Sequence, residues 1–315
     1  MIASRHSVIA SFKTLPDHAI PLDFLGEFTA GGRPLFVCPR TGVLSSERKM
    51  SPQDIVSYWS KNIFPSNDPN DYSAINPFAQ GRLLYTLLTL ANFVADAGDL
   101  PGAPLLCDFA TGQGVLLDLA RQHLPQWRLS ATEESCELAQ AISAKGHRVV
   151  ATGLGFGAIS LARELGGEPN VATLCWTLCN CIDPLSVLAQ IHATIADGGY
   201  ICVAEGSRIM VPYRKSLRDI FSPVHPPDVH PFYFSRASLA ALLSVAGFRL
   251  VYVNRYFDSD VLIVIARKQT SNTVAKDIVV DDPADVATFM KSWFEATRYF
   301  ESDLRRLDRS QTGRQ

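Results

Sequence analysis

Long apolar runs, charge of one sign and paired cysteines are all scarce in this chain of 315 residues, and each scarcity removes a class of function. No segment reaches the roughly 18 consecutive apolar residues that a membrane-spanning helix needs, so the 47% of apolar residues is available for a core instead. The first twenty residues hold no sustained apolar stretch ahead of a small-residue cleavage site, and a cytoplasmic location is expected. The net charge is -2 and no long basic run occurs, which argues against a nucleic-acid partner. The short cluster Arg305, Arg306, Arg309 and Arg314 reads as a solvated face. The seven cysteines are odd in number and scattered, which fits free thiols better than a disulfide framework. Cys175, Cys179 and Cys181 lie close together, but a zinc site asks for about four nitrogen or sulfur ligands. No second cluster completes such a set, so no metal is expected.

What the chain does hold is an alternation of short apolar strands with helices. Apolar residues at helical spacing predict a helix over 77–97, ended by Gly98 and Pro101-Gly102. Strands are expected at 104–108, 127–132, 148–152, 170–176 and 199–204. Helices at 115–123, 135–145, 158–165 and 184–196 separate or follow them, the last capped by Asp183. This alternation implies a parallel sheet with right-handed crossovers. A loop-rich stretch (206–234), a helix over 235–246, and apolar runs at 249–254 and 261–266 come next; the two runs read as an antiparallel pair at the sheet edge. The fold class is therefore α/β, a doubly wound, mostly parallel seven-stranded sheet with N-terminal and C-terminal additions. Three regions are expected: an N-terminal lid or substrate region at 1–75, a ligand-binding domain at 76–268, and a linker with a C-terminal amphipathic helix at 269–315. That helix places Phe289, Trp293, Phe300, Leu304 and Leu307 on one face. Such a stripe packs on the core or on a second subunit, which leaves a homodimer open.

The sharpest local signal is Leu106-Cys-Asp-Phe-Ala-Thr-Gly-Gln-Gly114. Asp108 ends the first strand, and Gly112 and Gly114 follow in the turn. Glycine there lets the backbone approach a ligand closely, and the next helix offers free N–H groups. Ligands of open α/β sheets bind at the carboxyl ends of the strands, where strand order switches. Two nucleoside ligands compete for this geometry. A dinucleotide site wants a third glycine for close helix–strand packing, and Leu117 stands in that place. S-adenosylmethionine carries no phosphate and does not require it. Glu133 closes the second strand 19 residues after Gly114. It fits the acid that holds ribose hydroxyls about 20 residues on, but it does not choose between the two ligands.

The same residues resemble the class I S-adenosylmethionine-dependent methyltransferases, over roughly 80–268. Asp108-Phe-Ala-Thr-Gly-Gln-Gly114 is similar to the first motif of that superfamily, with Ala110 where a glycine is usual. Ala131-Thr-Glu-Glu-Ser135 resembles the second, with Glu133 in the ribose-binding place. Thr177 to Pro184 falls where the fourth strand runs into the active-site loop, with Asn180 as a candidate contact to donor or acceptor. The resemblance implies a Rossmann-like fold, S-adenosylmethionine as cofactor, and Asp108, Ala110, Gly112, Gly114, Glu133 and Asn180 around it. A narrower likeness is carried by His230-Pro-Phe-Tyr-Phe-Ser235, which resembles a segment of deoxysugar C-methyltransferases. Those proteins have an N-terminal cysteine-rich zinc module, whereas Phe36-Val-Cys-Pro-Arg-Thr-Gly42 keeps a single cysteine, Cys38. They also have an acid directly before the histidine, whereas this chain has Val229, with Asp228 one step earlier.

Methyl transfer is an in-line displacement, so a protein contributes mainly alignment. It can also remove a proton from the acceptor, and histidine suits that near neutral pH. His230 is the preferred base, with His225 in the same loop as a second candidate and Tyr233 as a support for the base or a pocket wall. Tyr213 and Glu205 flank the exit of the fifth strand and could touch substrate. The expected function is methyl transfer to a small-molecule acceptor, with a nucleotide-linked sugar as one candidate and carbon or oxygen as the methylated atom. The alternatives are an S-adenosylmethionine-binding protein without catalysis and, behind it, a nicotinamide-dependent oxidoreductase.

Overall fold

The computed structural model describes residues 1–13, 19–25, 34–46, 77–151, 158–206, 209–211, 230–255, 261–270 and 277–312, with the single positions 51, 54, 57 and 217. Its centre is a seven-stranded sheet. Strand β5 (Leu105–Phe109) is buried along its whole length, as expected of a strand covered on both faces. It pairs in parallel with β6 (Arg128–Glu133), which pairs in parallel with β7 (Arg148–Ala151). On its other side β5 pairs in parallel with β8 (Val171–Cys175), and β8 with β9 (Tyr200–Glu205). The chain winds outward from β5 to β7, then returns to β8, so the strand order switches between β5 and β8. Strands β11 (Phe248–Val253) and β12 (Leu262–Lys268) close the other edge, with β12 antiparallel to β9 and β11 antiparallel to β12. The expected doubly wound, mostly parallel sheet is present.

Two apolar layers cover this sheet. On one face lie helices α2 (Pro77–Ala97), α3 (Val115–His123) and α4 (Cys136–Ala144), which pack Leu87, Leu90, Leu116 and Ile142 against Leu106 and Ala131. On the other lie α1 (Arg5–Lys13), α5 (Ala158–Leu165), α6 (Pro184–Thr194) and α7 (Arg236–Val245), packing Phe12, Leu165, Leu188 and Leu242 against Cys107 and Val203. Local chemistry sets where these helices begin. Ser135 accepts from Leu138 N–H at 3.3 Å to cap α4, and Asp183 accepts from Ser186 N–H at 3.0 Å to cap α6, as its position predicts. Ser235 and Ser238 form a reciprocal capping box on α7. The Ser235 hydroxyl also bonds the Asp281 carboxylate, which ties that cap to the strand β13 (Asp277–Val279) region.

The N-terminal strand β1 (Ile2–Ser4) pairs antiparallel with β13, which precedes the last helix. A second, small sheet runs in the order β10 (Phe232–Tyr233), β4 (Leu44–Ser46), β3 (Leu35–Val37), β2 (Ile20–Pro21). It joins the expected lid region to the segment that carries His230. The last helix, α8 (Pro283–Thr312), lays Val286, Met290, Trp293 and Phe294 on this small sheet. Phe289 packs at the edge of that cluster, while the side chains of Phe300, Leu304 and Leu307 lie outside the described residues. The stripe on α8 is thus covered within this chain over its first half. No helix among the described residues is long and apolar enough to cross a membrane.

Candidate active site

The glycine turn after β5 is held by β6. Three successive amides reach across: Ala110 N–H donates to Thr132 Oγ1 at 3.2 Å, Thr111 N–H to the Thr132 carbonyl at 3.0 Å, and Gly112 N–H to Glu133 Oε2 at 2.8 Å. Glu133 also accepts from Ser135 N–H at 3.0 Å, so its carboxylate ties the turn to the start of α4. Asp108 is held as firmly: Thr173 Oγ1 donates to one oxygen at 2.6 Å and Thr111 Oγ1 to the other at 2.7 Å. Burial raises the Asp108 carboxyl to about 6, with the two threonine hydroxyls pulling the other way. Burial raises Glu133 as well, against the amides of Ser135 and Gly112.

The turn needs left-handed backbone at alternate positions: φ is +54° at Ala110, +59° at Gly112 and +75° at Gly114. The departure at Ala110 is therefore a strained residue, because an alanine sits where a Cβ crowds the backbone. Gly114 has a second reason to be glycine. A Cβ there would stand 3.0 Å from Ile142 Cγ2, so its bareness seats α4 against α3. Leu117 is fully buried in α3, where a dinucleotide cradle would want a glycine.

Across the switch point, β8 and β9 end differently. Trp176 follows β8 with φ +54°, a conformation that a bulky residue adopts only under constraint from its surroundings. The ring lies against Gly206, where a Cβ would come within 2.9 Å of Nε1. The Trp176 carbonyl accepts from Asn180 Nδ2 at 2.9 Å, leaving Asn180 Oδ1 buried with no hydrogen-bond partner among the described residues. Glu205 ends β9 and is fully buried, and desolvation raises its carboxyl to about 7. The chain shows the acid in sequence but nothing of its surroundings, and Trp176 carried no local signal of strain.

His230 is half-buried and precedes β10, and its ring meets Tyr233 edge-on at 6.2 Å between centroids. The backbone around it is pinned, because Ser46 Oγ donates to the His230 carbonyl at 2.8 Å and Ser46 N–H to the Pro231 carbonyl at 2.9 Å. Phe232 and Phe234 face the main core beside Phe12, while Tyr233 points the opposite way into the cluster under α8. His225, Tyr213, Asp228 and Val229 lie outside the described residues.

The donor set suits one of the two nucleosides better. Each Glu133 oxygen keeps lone-pair capacity for a ribose hydroxyl. The buried Leu117 leaves no room for the close glycine packing of a pyrophosphate cradle, and a sulfonium without phosphate does not need it.

A family model described as a methyltransferase domain matches residues 80–253, more than half of the chain. No curated protein matches. Among solved structures, the chain is similar to a plantazolicin methyltransferase in complex with a pentazolic desmethylPZN analogue and S-adenosylhomocysteine, at 14% identity over 68% of this chain and 94% of that one, TM-score 0.49. It is also similar to an S-adenosylmethionine-dependent methyltransferase from Aquifex aeolicus, at 15% identity over 64% and 99%, TM-score 0.46. A third is human N-acetylserotonin methyltransferase, at 20% identity over 70% and 66%, TM-score 0.42. The chain belongs to the methyltransferase-domain family, and it is an S-adenosylmethionine-dependent methyltransferase.

Proposed function

We propose that the enzyme methylates a small polar acceptor, a nucleotide-linked sugar being the first to test, with His230 as the base that takes the acceptor's proton. The observation that carries this reading is where His230 stands. Its backbone is fixed by Ser46 of the small sheet, and it leads into β10, which packs on the 178–180 turn that follows β8 at the carboxyl-end side of the main sheet. The likeness of His230-Pro-Phe-Tyr-Phe-Ser235 to deoxysugar C-methyltransferases supports the acceptor class.

In this reading Asp108, Ala110, Gly112, Gly114, Glu133 and Asn180 hold the donor. S-adenosylmethionine, when bound, supplies a methyl group on a positively charged sulfur. As the acceptor gains that methyl at carbon or oxygen, His230 takes the proton it loses. One carbon–sulfur bond breaks, one bond to the acceptor forms, and S-adenosylhomocysteine leaves. Tyr233 steadies the imidazole through its ring. Residues 1–75 and 206–234, with His225, form the acceptor side, and the pairing of β10 with β4 supports their acting together.

The test is transfer from labelled S-adenosylmethionine to a panel of nucleotide sugars, phenols and amines. His230→Ala is expected to lower turnover by about 10² to 10⁴-fold, while donor affinity measured by calorimetry stays nearly unchanged. Normal turnover in that variant removes His230 as the base.

A further inference from the structure

The glycine turn has a second anchor, which comes from the end of α4. Gln113 lies between Gly112 and Gly114, both with left-handed backbone. The peptide that joins Gln113 to Gly114 is held at both ends. Its N–H donates to the Thr111 carbonyl at 3.1 Å, and its carbonyl accepts from Lys145 Nζ at 3.1 Å. A peptide plane beside glycine turns over readily, because a residue without a Cβ takes φ of either sign. Such a flip at Gln113–Gly114 would present a carbonyl where the turn now presents an amide.

Lys145 is itself fixed in place. It follows α4 as its C-cap, and its own carbonyl accepts from Arg121 Nη1 at 2.9 Å. Its side chain is 8% exposed, and its ammonium meets Asp118 Oδ2 of α3 at 3.0 Å. Asp118 Oδ1 meets His147 Nε2 at 2.7 Å and Arg121 Nη2 at 2.9 Å. The Asp118 N–H donates to the Gly114 carbonyl at 3.0 Å, so the acid that fixes the ammonium is seated on the turn as well. A buried ammonium needs a counter-charge and further acceptors to offset its desolvation, and here the turn's backbone supplies one. A hydrogen bond from a charged donor is stronger than one between neutral groups.

We propose that Lys145 is a positioning residue for the donor: its ammonium, fixed by Asp118, locks the Gln113–Gly114 peptide and keeps the 112–114 turn in the form that receives S-adenosylmethionine. The proposal rests on that turn holding the donor. Lys145 acts through the turn and contacts no reacting atom. Arg121, 52% exposed, bonds to Asp118 and to the Lys145 carbonyl, and so braces the two helices rather than the turn.

The test is calorimetry of S-adenosylmethionine and S-adenosylhomocysteine on the full chain, with amide exchange followed by NMR in the ligand-free protein. Lys145→Met keeps the aliphatic stem and removes the charge. It is expected to weaken both ligands at least about tenfold. It is also expected to speed exchange at the Gly114 N–H while the amides of β5 stay protected. Wild-type affinity overturns the proposal, and so does unchanged exchange at Gly114. Arg121→Met loosens the same pair of helices and is expected to lower the melting temperature while leaving both affinities within about twofold. An equal loss of affinity in Arg121→Met would mean that any loosening of α3 against α4 reaches the site, and the specific role of Lys145 would fall. Should Lys145→Met fail to fold, Asp118→Asn is expected to weaken both ligands at least about threefold, and wild-type affinity there overturns the proposal equally. The two readings fail separately. Unchanged affinity in Gly112→Val removes the turn from the donor site, whereas a weakened Gly112→Val beside a Lys145→Met of wild-type affinity removes only the role of Lys145.

Discussion

The two halves of the strand-end surface hold their buried carboxylates in opposite ways. On the β5–β6 side every carboxylate oxygen is engaged: Asp108 by two threonine hydroxyls, Glu133 by the amides of Gly112 and Ser135. On the β8–β9 side, Asn180 Oδ1 and Glu205 Oε2 are buried with no hydrogen-bond partner among the described residues. A saturated network is rigid before any ligand arrives. Unsatisfied groups are costly in the free protein and become useful only when something donates to them. In the function proposed above, the first side holds the donor and the second lies toward the acceptor.

The largest effect is expected from breaking the saturated side. Gly112→Val places a β-branched residue at φ +59°, a region such side chains essentially avoid. The backbone must rotate, and the Gly112 N–H then leaves Glu133, 2.8 Å away. Donor affinity by calorimetry is expected to fall at least about 100-fold, on the order of 3 kcal/mol. Unchanged affinity would remove the turn from the donor site.

A smaller effect, with a pH signature, is expected from the unsatisfied side. Burial lifts the Glu205 carboxyl from 4.5 to about 7. The folded protein therefore holds this proton over a range in which the unfolded chain has released it. The stability Glu205 contributes is fully present below about pH 4.5 and is lost as pH rises to about 7. Glu205→Gln does not titrate, so relative to it the wild type should weaken across that window, by at most about 3 kcal/mol. Urea unfolding of both proteins at the two ends of the window checks this. A difference that does not change with pH would mean the carboxyl is not buried as described.

Much of this contrast was legible beforehand, and the part that was not has a physical reason. Apolar runs punctuated by Asp183, Ser135 and the glycines located the strands and helices of the main sheet, because capping and burial act locally. The acids Asp108 and Glu133 could be placed at strand ends for the same reason. The small sheet was not legible: Phe232 and Tyr233 make a two-residue strand whose partner, Leu44 to Ser46, lies far away in sequence. The left-handed backbone at Trp176 goes with a ring seated against Gly206, which follows the neighbouring strand. The open oxygen of Glu205 depends on what the 178–180 turn fails to offer, which no residue spacing encodes. Gly114 was assigned to ligand approach alone, whereas Ile142 also demands it.

The smallest expected effect tests how much strain the saturated side stores. Ala110 sits at φ +54° with its N–H on Thr132 Oγ1 at 3.2 Å, so it is held left-handed by the same bonds that order the turn. That conformation costs an L-residue with a Cβ about 1–2 kcal/mol. Glycine would remove the cost but adds about 0.4–1 kcal/mol of freedom to the unfolded chain. The difference leaves Ala110→Gly more stable by roughly 0.5 kcal/mol, a rise in melting temperature of about 1–2 °C. Donor affinity should hardly move, because the variant adopts the same turn with the same amides facing β6. A lower melting temperature would show that the Ala110 methyl packs favourably enough to outweigh its backbone, and the turn would then be held by side-chain contact as well as by hydrogen bonds.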